Sequence, residues 1–313
     1  MTANFRALGL VAGLACILLG PNAASAASGR IVIEEGGVRR SALIEEFQRL
    51  KRGPRPTIVV LHGGSGSGSG VRRNLGLDAL ARASGTVVVY PDAVEGRWAG
   101  VTPGRAGLAD DQVYVRRLVE KLVADRIADP RRIGIVGVST GGLLAIRLAC
   151  TSADLFSSAS AIVANMPKSL EGNCKPAKPI PFLLINGTAD TLIPYGGGRI
   201  LLGGRTAEVL STEATLAPFA QAAGCAPDMS SEPVAKRDAA DPTKAVLHKF
   251  AGCAAPVELI KIEGGGHRVP GRTGGGGTSN VAGLAPPNET AGLRNNDVDA
   301  SKAIFDFFRR LGN

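Results

Sequence analysis

The chain has 313 residues, 44% of them hydrophobic and 20% charged, with a formal net charge of +9 and only three histidines. That length accommodates one large domain with a substantial core. The basic residues are scattered and are not interleaved with aromatics, which make up 4% of the chain, so the charge is read as solubility and a nucleic-acid surface is not expected.

Residues 1–26 have the pattern of an export leader. Arg6 supplies the positive start, Leu8 to Leu19 a short apolar stretch, and Ala24-Ser25-Ala26 an A-x-A cleavage site. The apolar stretch is too short to span a bilayer and no later run is long enough. The expectation is a secreted or periplasmic protein cut after Ala26, with residues 27–313 as one catalytic domain and no stable membrane insertion. Cys16 is not favoured as a lipoprotein cysteine, because Gly13 stands where an aliphatic residue is wanted and Ile17-Leu18-Leu19 continues the apolar run.

Further along, Ile31 to Phe47 predicts a β-hairpin turning at Gly36-Gly37, and Arg52 to Pro56 is a breaker. Thr57-Ile58-Val59-Val60-Leu61 is a continuous apolar run, as expected for a strand buried on both faces of a parallel sheet. Thr86 to Tyr90, Arg132 to Val136, Ser160 to Val163, Pro181 to Ile185 and Pro256 to Ile262 predict further strands. Helical patterns intervene around Leu75–Ala83, Asp110–Ala128, Gly142–Cys150, Thr212–Ala223 and Ala300–Leu311, and a short one surrounds His248 from Ala245 to Phe250. Met229 to Thr243 reads as a polar loop, and Arg268 to Asn296, rich in Gly, Pro and Asn, as a surface excursion. Alternating strands and helices define the α/β class, with a mostly parallel, doubly wound sheet flanked by helices in a single domain.

Beyond Cys16 there are four cysteines, Cys150, Cys174, Cys225 and Cys253. In an exported chain an even count indicates two disulfides, and four cysteines leave three pairings open. The sequence-local pairing, Cys150–Cys174 with Cys225–Cys253, is favoured. No C-x-x-C or histidine cluster accompanies them, so no metal site is expected.

The most informative segment is Gly137-Val138-Ser139-Thr140-Gly141, a G-x-S-x-G between the run ending at Val136 and the helical pattern from Gly142. In that context a serine is forced onto a sharp strand-to-helix turn that lifts its hydroxyl clear of the sheet, and bulky neighbours are excluded. The amide of Thr140, at the helix start, then points to where an oxyanion forms.

A nucleophilic serine needs a base, and the base an orienting acid. Of the three histidines, His267 follows the last predicted strand on Gly264-Gly265-Gly266, where glycine-rich backbone can swing an imidazole over the sheet. It is the expected base. Asp190, in Asn186-Gly187-Thr188-Ala189-Asp190 after the strand Pro181–Ile185, is the expected acid, at the carboxyl edge where ligand sites collect. Asp154, Asp228, Asp238 and Asp241 fall on helix ends or in the predicted loop and are set aside. The loop after the first long strand, His62-Gly63-Gly64-Ser65-Gly66-Ser67-Gly68-Ser69-Gly70, is placed to supply the second oxyanion donor, from Gly64 or Ser65. A phosphate cradle is not indicated, since no G-K-[ST] ending is present. His62 and the single tryptophan, Trp98, are candidate walls of a substrate cleft, with packing as an equal alternative for Trp98. Asp110-Asp111 reads as a structural helix start. The sequons at Asn186 and Asn288 matter only in a eukaryotic secretory host.

Leu61-His62-Gly63-Gly64, Tyr90-Pro91-Asp92, Asp110-Asp111, Gly137-Val138-Ser139-Thr140-Gly141-Gly142, Asn186-Gly187-Thr188-Ala189-Asp190 and Gly264-Gly265-Gly266-His267-Arg268-Val269-Pro270-Gly271 occur in one order. In this the chain resembles the secreted polyhydroxybutyrate depolymerase and feruloyl/acetylxylan esterase group of α/β-hydrolases. The resemblance extends over nearly all of residues 27–313. It implies a Ser139–His267–Asp190 triad, the two sequence-local disulfides, ester hydrolysis through an acyl-enzyme, and no cofactor. The partner is an ester substrate, small or polymeric. Val269 stands where the group usually has a tryptophan, and the loop after the first strand is Gly-Ser where the group usually carries a cysteine.

Overall fold

The computed structural model describes residues 1, 27–35, 37–46, 53–101, 110–271 and 291–311. The expected leader, Gly36 of the hairpin turn, Arg52 of the breaker, the Asn288 sequon and most of the expected excursion after Arg268 lie outside the described residues.

Twelve strands and six α-helices follow one another in the described chain. The opening hairpin is β1 (Ala27–Glu35) and β2 (Val38–Glu46), paired antiparallel. Then come β3 (Arg55–Leu61), α1 (Gly68–Leu75), α2 (Asp78–Ser84), β4 (Val87–Pro91), α3 (Asp111–Ala124), β5 (Ala128–Val138), α4 (Thr140–Thr151), β6 (Ser158–Ile162) and β7 (Phe182–Gly187). A small separate hairpin, β8 (Gly198–Leu202) and β9 (Arg205–Val209), precedes α5 (Thr212–Ala222). The chain continues through β10 (Met229–Pro233), β11 (Lys244–Phe250), β12 (Val257–Glu263) and α6 (Ala300–Arg310).

Ten strands form one sheet in the order β1-β2-β4-β3-β5-β6-β7-β12-β11-β10. The central strands β4, β3, β5, β6, β7 and β12 are parallel, and antiparallel strands extend both edges. The predicted continuous apolar strands occupy this centre, because a strand covered on both faces needs apolar residues at every position. In β3, Val59 and Leu61 pack with Tyr114, Leu118 and Leu144 of α3 and α4 in one core layer. Ile58 and Val60 pack with Val71, Leu75, Ile304 and Phe307 of α1 and α6 in the other.

Three sequence expectations are corrected. His248 lies in strand β11, not in a helix. Met229–Thr243 is not wholly irregular, since its first residues form edge strand β10 against β11. The helix expected around Leu75–Ala83 is two helices, because Gly76 ends α1 in the left-handed region (φ 64°) with its N–H on the Arg72 carbonyl. The Gly-Ser run is also partly helical, with Ser67 capping α1 through the Gly70 amide. Both disulfides, Cys150–Cys174 and Cys225–Cys253, are formed in the favoured pairing.

Candidate active site

The loops that follow β3, β5, β7 and β12 meet at the carboxyl edge of the parallel strands. Ser139 stands between β5 and α4 at φ 55°, ψ −122°, a conformation that ordinary side chains avoid. Such strain costs of order 1–3 kcal/mol and persists only where the surroundings over-determine it. Here the Ser139 amide donates to the Ile162 carbonyl of β6 at 2.9 Å, and the Ser139 carbonyl accepts Leu143 N–H as the first turn of α4. A Cβ on Gly141 would collide with the Leu61 and His62 carbonyls, so α4 starts directly against the end of β3.

Across this edge, His267 Nε2 lies 2.9 Å from Ser139 Oγ, and His267 Nδ1 lies 2.7 Å from Asp190 Oδ2. All three side chains are buried. The carboxylate accepts Nδ1–H, which leaves Nε2 free to accept the serine hydroxyl proton. The other carboxylate oxygen, Asp190 Oδ1, accepts the Leu192 and Ile193 amides at 2.8 Å each. The Asp190 and His267 loops are also joined to each other: Ala189 N–H donates to Gly265 O at 2.8 Å, and Gly264 N–H to the side-chain oxygen Thr188 Oγ1 at 2.9 Å. A Cβ on Gly187 would strike the Gly265 carbonyl, so only glycine lets β7 approach that closely.

The His267 loop is braced by residues 291–298. Gly266 N–H reaches Leu293 O, Gly271 N–H reaches Asn295 O, and Arg268 Nε–H reaches Gly292 O. That segment is tied in turn to the chain after β10. Buried Asp297 accepts from Lys236 Nζ and from the Arg237 and Asp238 amides, and Asp241 accepts the Asn296 amide. Burial pushes the Asp297 carboxyl upward, but the Lys236 and amide hydrogen bonds outweigh it and hold the pKa at about 2. Asp238 and Asp241, set aside as triad members, therefore serve this brace.

The third loop follows β3. Gly63, Gly64 and Thr140 are buried, and neither the Gly64 nor the Thr140 amide has a protein acceptor among the described residues. The Thr140 hydroxyl also lacks a partner there. Buried N–H groups are nearly always paired, so two that lack an acceptor are suited to receive an oxyanion.

His62 and Trp98 do not face a cleft. Their exposures are 1% and 0%, and each directs its polar atoms into the protein. Trp98 Nε1–H donates to the His62 carbonyl at 2.7 Å, and the two rings lie 4.7 Å apart. Beneath Trp98 is a buried ion pair that was not expected from the sequence: Arg40 Nη2 of β2 lies 2.7 Å from Asp111 Oδ1 of α3. The Arg40 guanidinium lies over the Tyr114 ring at 3.7 Å, and Asp111 Oδ2 accepts the Gly100 amide at 3.0 Å. Asp111 is structural as expected, in the first turn of α3 and through this pair, while Asp110 caps α3. Asn186 is buried, and its amide nitrogen donates to Ala164 O, Asn165 Oδ1 and Thr212 Oγ1. Among the described residues no helix is long and apolar enough to cross a membrane.

A family model described as the alpha/beta hydrolase family matches residues 58–273, and the chain belongs to that family. A putative esterase, NocK, from Nocardia uniformis subsp. tsuyamanensis is 32% identical over 70% of this chain and 67% of its own length. Feruloyl esterase B from Piromyces equi is 26% identical over 68% of this chain, which spans only 39% of that protein. The solved structure of an acetyl xylan esterase from Aspergillus awamori superposes with a TM-score of 0.55 at 16% identity, covering 78% of this chain and 95% of that one, and so shares its fold.

Proposed function

We propose that the protein is an exported serine esterase that cleaves carboxylic esters through an acyl-enzyme. The observation that carries this is the unbroken relay from Ser139 Oγ to His267 to Asp190, with hydrogen bonds of 2.9 and 2.7 Å behind a strained elbow. Ser139 Oγ attacks the ester carbonyl as His267 Nε2 takes its proton. The oxyanion is received by the Thr140 amide and an amide of the Gly64-Ser65 turn. Collapse breaks the acyl–oxygen bond, and His267 returns the proton to the departing alkoxide. A water, deprotonated by the same imidazole, then releases the acid and restores Ser139. Asp190 holds the imidazole in the working tautomer throughout. No step requires a metal or cofactor.

Membership of the hydrolase family and the printed names of the relatives support ester chemistry. For the acyl group, the 4% aromatic content, low for a surface that stacks sugars, and Val269 in place of the group's usual tryptophan favour hydroxyalkanoate oligomers such as polyhydroxybutyrate fragments over plant polysaccharide esters. The Piromyces relative favours a feruloyl ester as the second reading. Two disulfides and the expected leader support export, with residues 27–313 as the mature domain.

Hydrolysis of short p-nitrophenyl esters tests the reaction class. Ser139→Ala is expected to lower kcat by about 10⁴-fold or more, and retained activity rejects the assignment. Comparing the matching p-nitroanilide separates an esterase from a peptidase or amidase with the same triad. A folded protein inert to both is a binding protein on a hydrolase scaffold. Hydroxybutyrate oligomers, methyl ferulate and acetylated xylan, assayed side by side, distinguish the acyl groups.

A further inference from the structure

We propose that His62, buried and outside the triad, is the positioning residue of the oxyanion site: it holds the Gly63–Gly64 peptide so that the Gly64 amide is the second donor. The proposal rests on the esterase reading above.

The orientation follows from the peptide plane. His62 Nε2 lies 3.1 Å from the Ala93 amide, which can only donate. Nε2 must therefore be the accepting nitrogen, and the neutral ring carries its proton on Nδ1. Nδ1–H then donates to the Gly63 carbonyl at 2.7 Å, and the Gly66 amide donates to the same oxygen at 3.1 Å. In a trans peptide, C=O and N–H point to opposite sides. With the Gly63 oxygen held on the imidazole side, the Gly64 N–H is directed to the other side of the loop. There it has no acceptor among the described residues, although Gly64 is buried.

Two further contacts hold the loop that carries His62. Trp98 Nε1–H grips the His62 carbonyl at 2.7 Å while its ring covers the imidazole at 4.7 Å. The backbone at Ser65 and Gly66 also touches Gly96 so closely that a Cβ there would not fit. The loop after β4 thus sets the His62 tautomer through Ala93 and clamps the His62 backbone through Trp98. Thr140 is placed by the close approach of Gly141 to the Leu61 and His62 carbonyls, a backbone contact in which the His62 imidazole takes no part. The imidazole therefore orients only the Gly64 donor.

The test uses the full protein with His62→Leu and His62→Asn. Leucine removes the donor, whereas the Asn amide nitrogen occupies nearly the place of imidazole Nδ1 and can still donate to Gly63 O. His62→Leu is expected to lower kcat by about 10²-fold, as for loss of one oxyanion donor. KM should move by less than about threefold, because the interaction is made only in the transition state. The affinity for a trifluoromethyl ketone, which forms a tetrahedral adduct with Ser139, should fall in parallel, and His62→Asn should restore most of both. Equal loss in the two variants, or a rise in KM alone, overturns the proposal. Should neither variant fold, the unsubstituted protein decides by NMR: ketone binding is expected to shift the Gly64 amide proton strongly downfield, and a shift at Ser65 instead overturns the proposal. Hydrolysis that is abolished by Ser139→Ala but undiminished by His62→Leu overturns this inference alone. Absence of hydrolysis by the unsubstituted protein overturns the esterase reading and this inference together.

Discussion

Asp190 accepts the Nδ1–H of His267 on Oδ2 at 2.7 Å, while its Oδ1 is held by the amides of Leu192 and Ile193 at 2.8 Å each. The carboxylate has no freedom to exchange its two oxygens. In Asp190→Asn the amides of Leu192 and Ile193 must keep an oxygen, so the new NH₂ faces His267. It forces Nδ1 to accept and puts the ring proton on Nε2, which can then no longer take the Ser139 proton. A loss of about 10³–10⁴-fold in kcat, with KM little changed, is expected from steady-state kinetics. A loss below about tenfold would contradict the orienting role.

At Gly141 helix α4 packs directly on the end of β3, where an added Cβ would meet the Leu61 and His62 carbonyls. Backbone on both sides leaves little room to relax. Gly141→Ala should destabilise by about 3 kcal/mol, at the upper end of overpacking costs. Urea unfolding reads the stability, and because Thr140 moves with the helix, esterase activity should fall in the fraction that still folds.

The disulfides close loops with sequence separations of 24 and 28 residues. Cross-links over loops of this size contribute about 3 kcal/mol each by restricting the unfolded chain. Paired Cys→Ser substitution at Cys225 and Cys253, or at Cys150 and Cys174, should lower the melting temperature by several degrees while sparing kcat at moderate temperature. Melting curves and p-nitrophenyl ester kinetics on the same samples separate the two effects.

His62 also makes a prediction about pH. Burial holds its imidazole below the ordinary value of 6.5, with the Gly63 carbonyl, Asp92 and Asp111 opposing that shift and Arg40 adding to it. The folded state thus binds this proton less readily than the unfolded chain. The stabilisation is complete above 6.5 and is lost as pH falls through the lower folded value. The melting temperature should drop between about pH 7 and about pH 5, and the drop should shrink in His62→Asn. His248→Asn is the needed control, because burial and Lys261 also lower that imidazole.

What could be read from the sequence follows burial and backbone constraint. The central strands were legible because parallel strands covered on both faces need continuous apolar runs, as in Ile58-Val59-Val60-Leu61. Ser139, Asp190 and His267, which the structure brings into hydrogen-bonding distance, stood out because each sits just beyond such a strand, on a turn whose glycines are demanded by close backbone contact. Strand β10 left no signal, since all five residues are exposed and none is drawn into the core. Strand β11, around His248, is a half-buried run whose period is ambiguous between helix and strand. Nothing in local sequence pairs Arg40 with Asp111, which come together only when β2 meets α3. Nor does it reveal that His62 and Trp98 turn inward, since that depends on Ala93 and on the Gly63–Gly64 peptide plane.

The most direct test of the Ser139–His267–Asp190 centre is stoichiometric labelling with a fluorophosphonate, read by intact mass and peptide mapping. One equivalent is expected, on the peptide carrying Ser139, with labelling lost in Ser139→Ala and slowed by orders of magnitude in His267→Ala. Attachment at another residue, or a folded protein that takes up no label, would contradict the account.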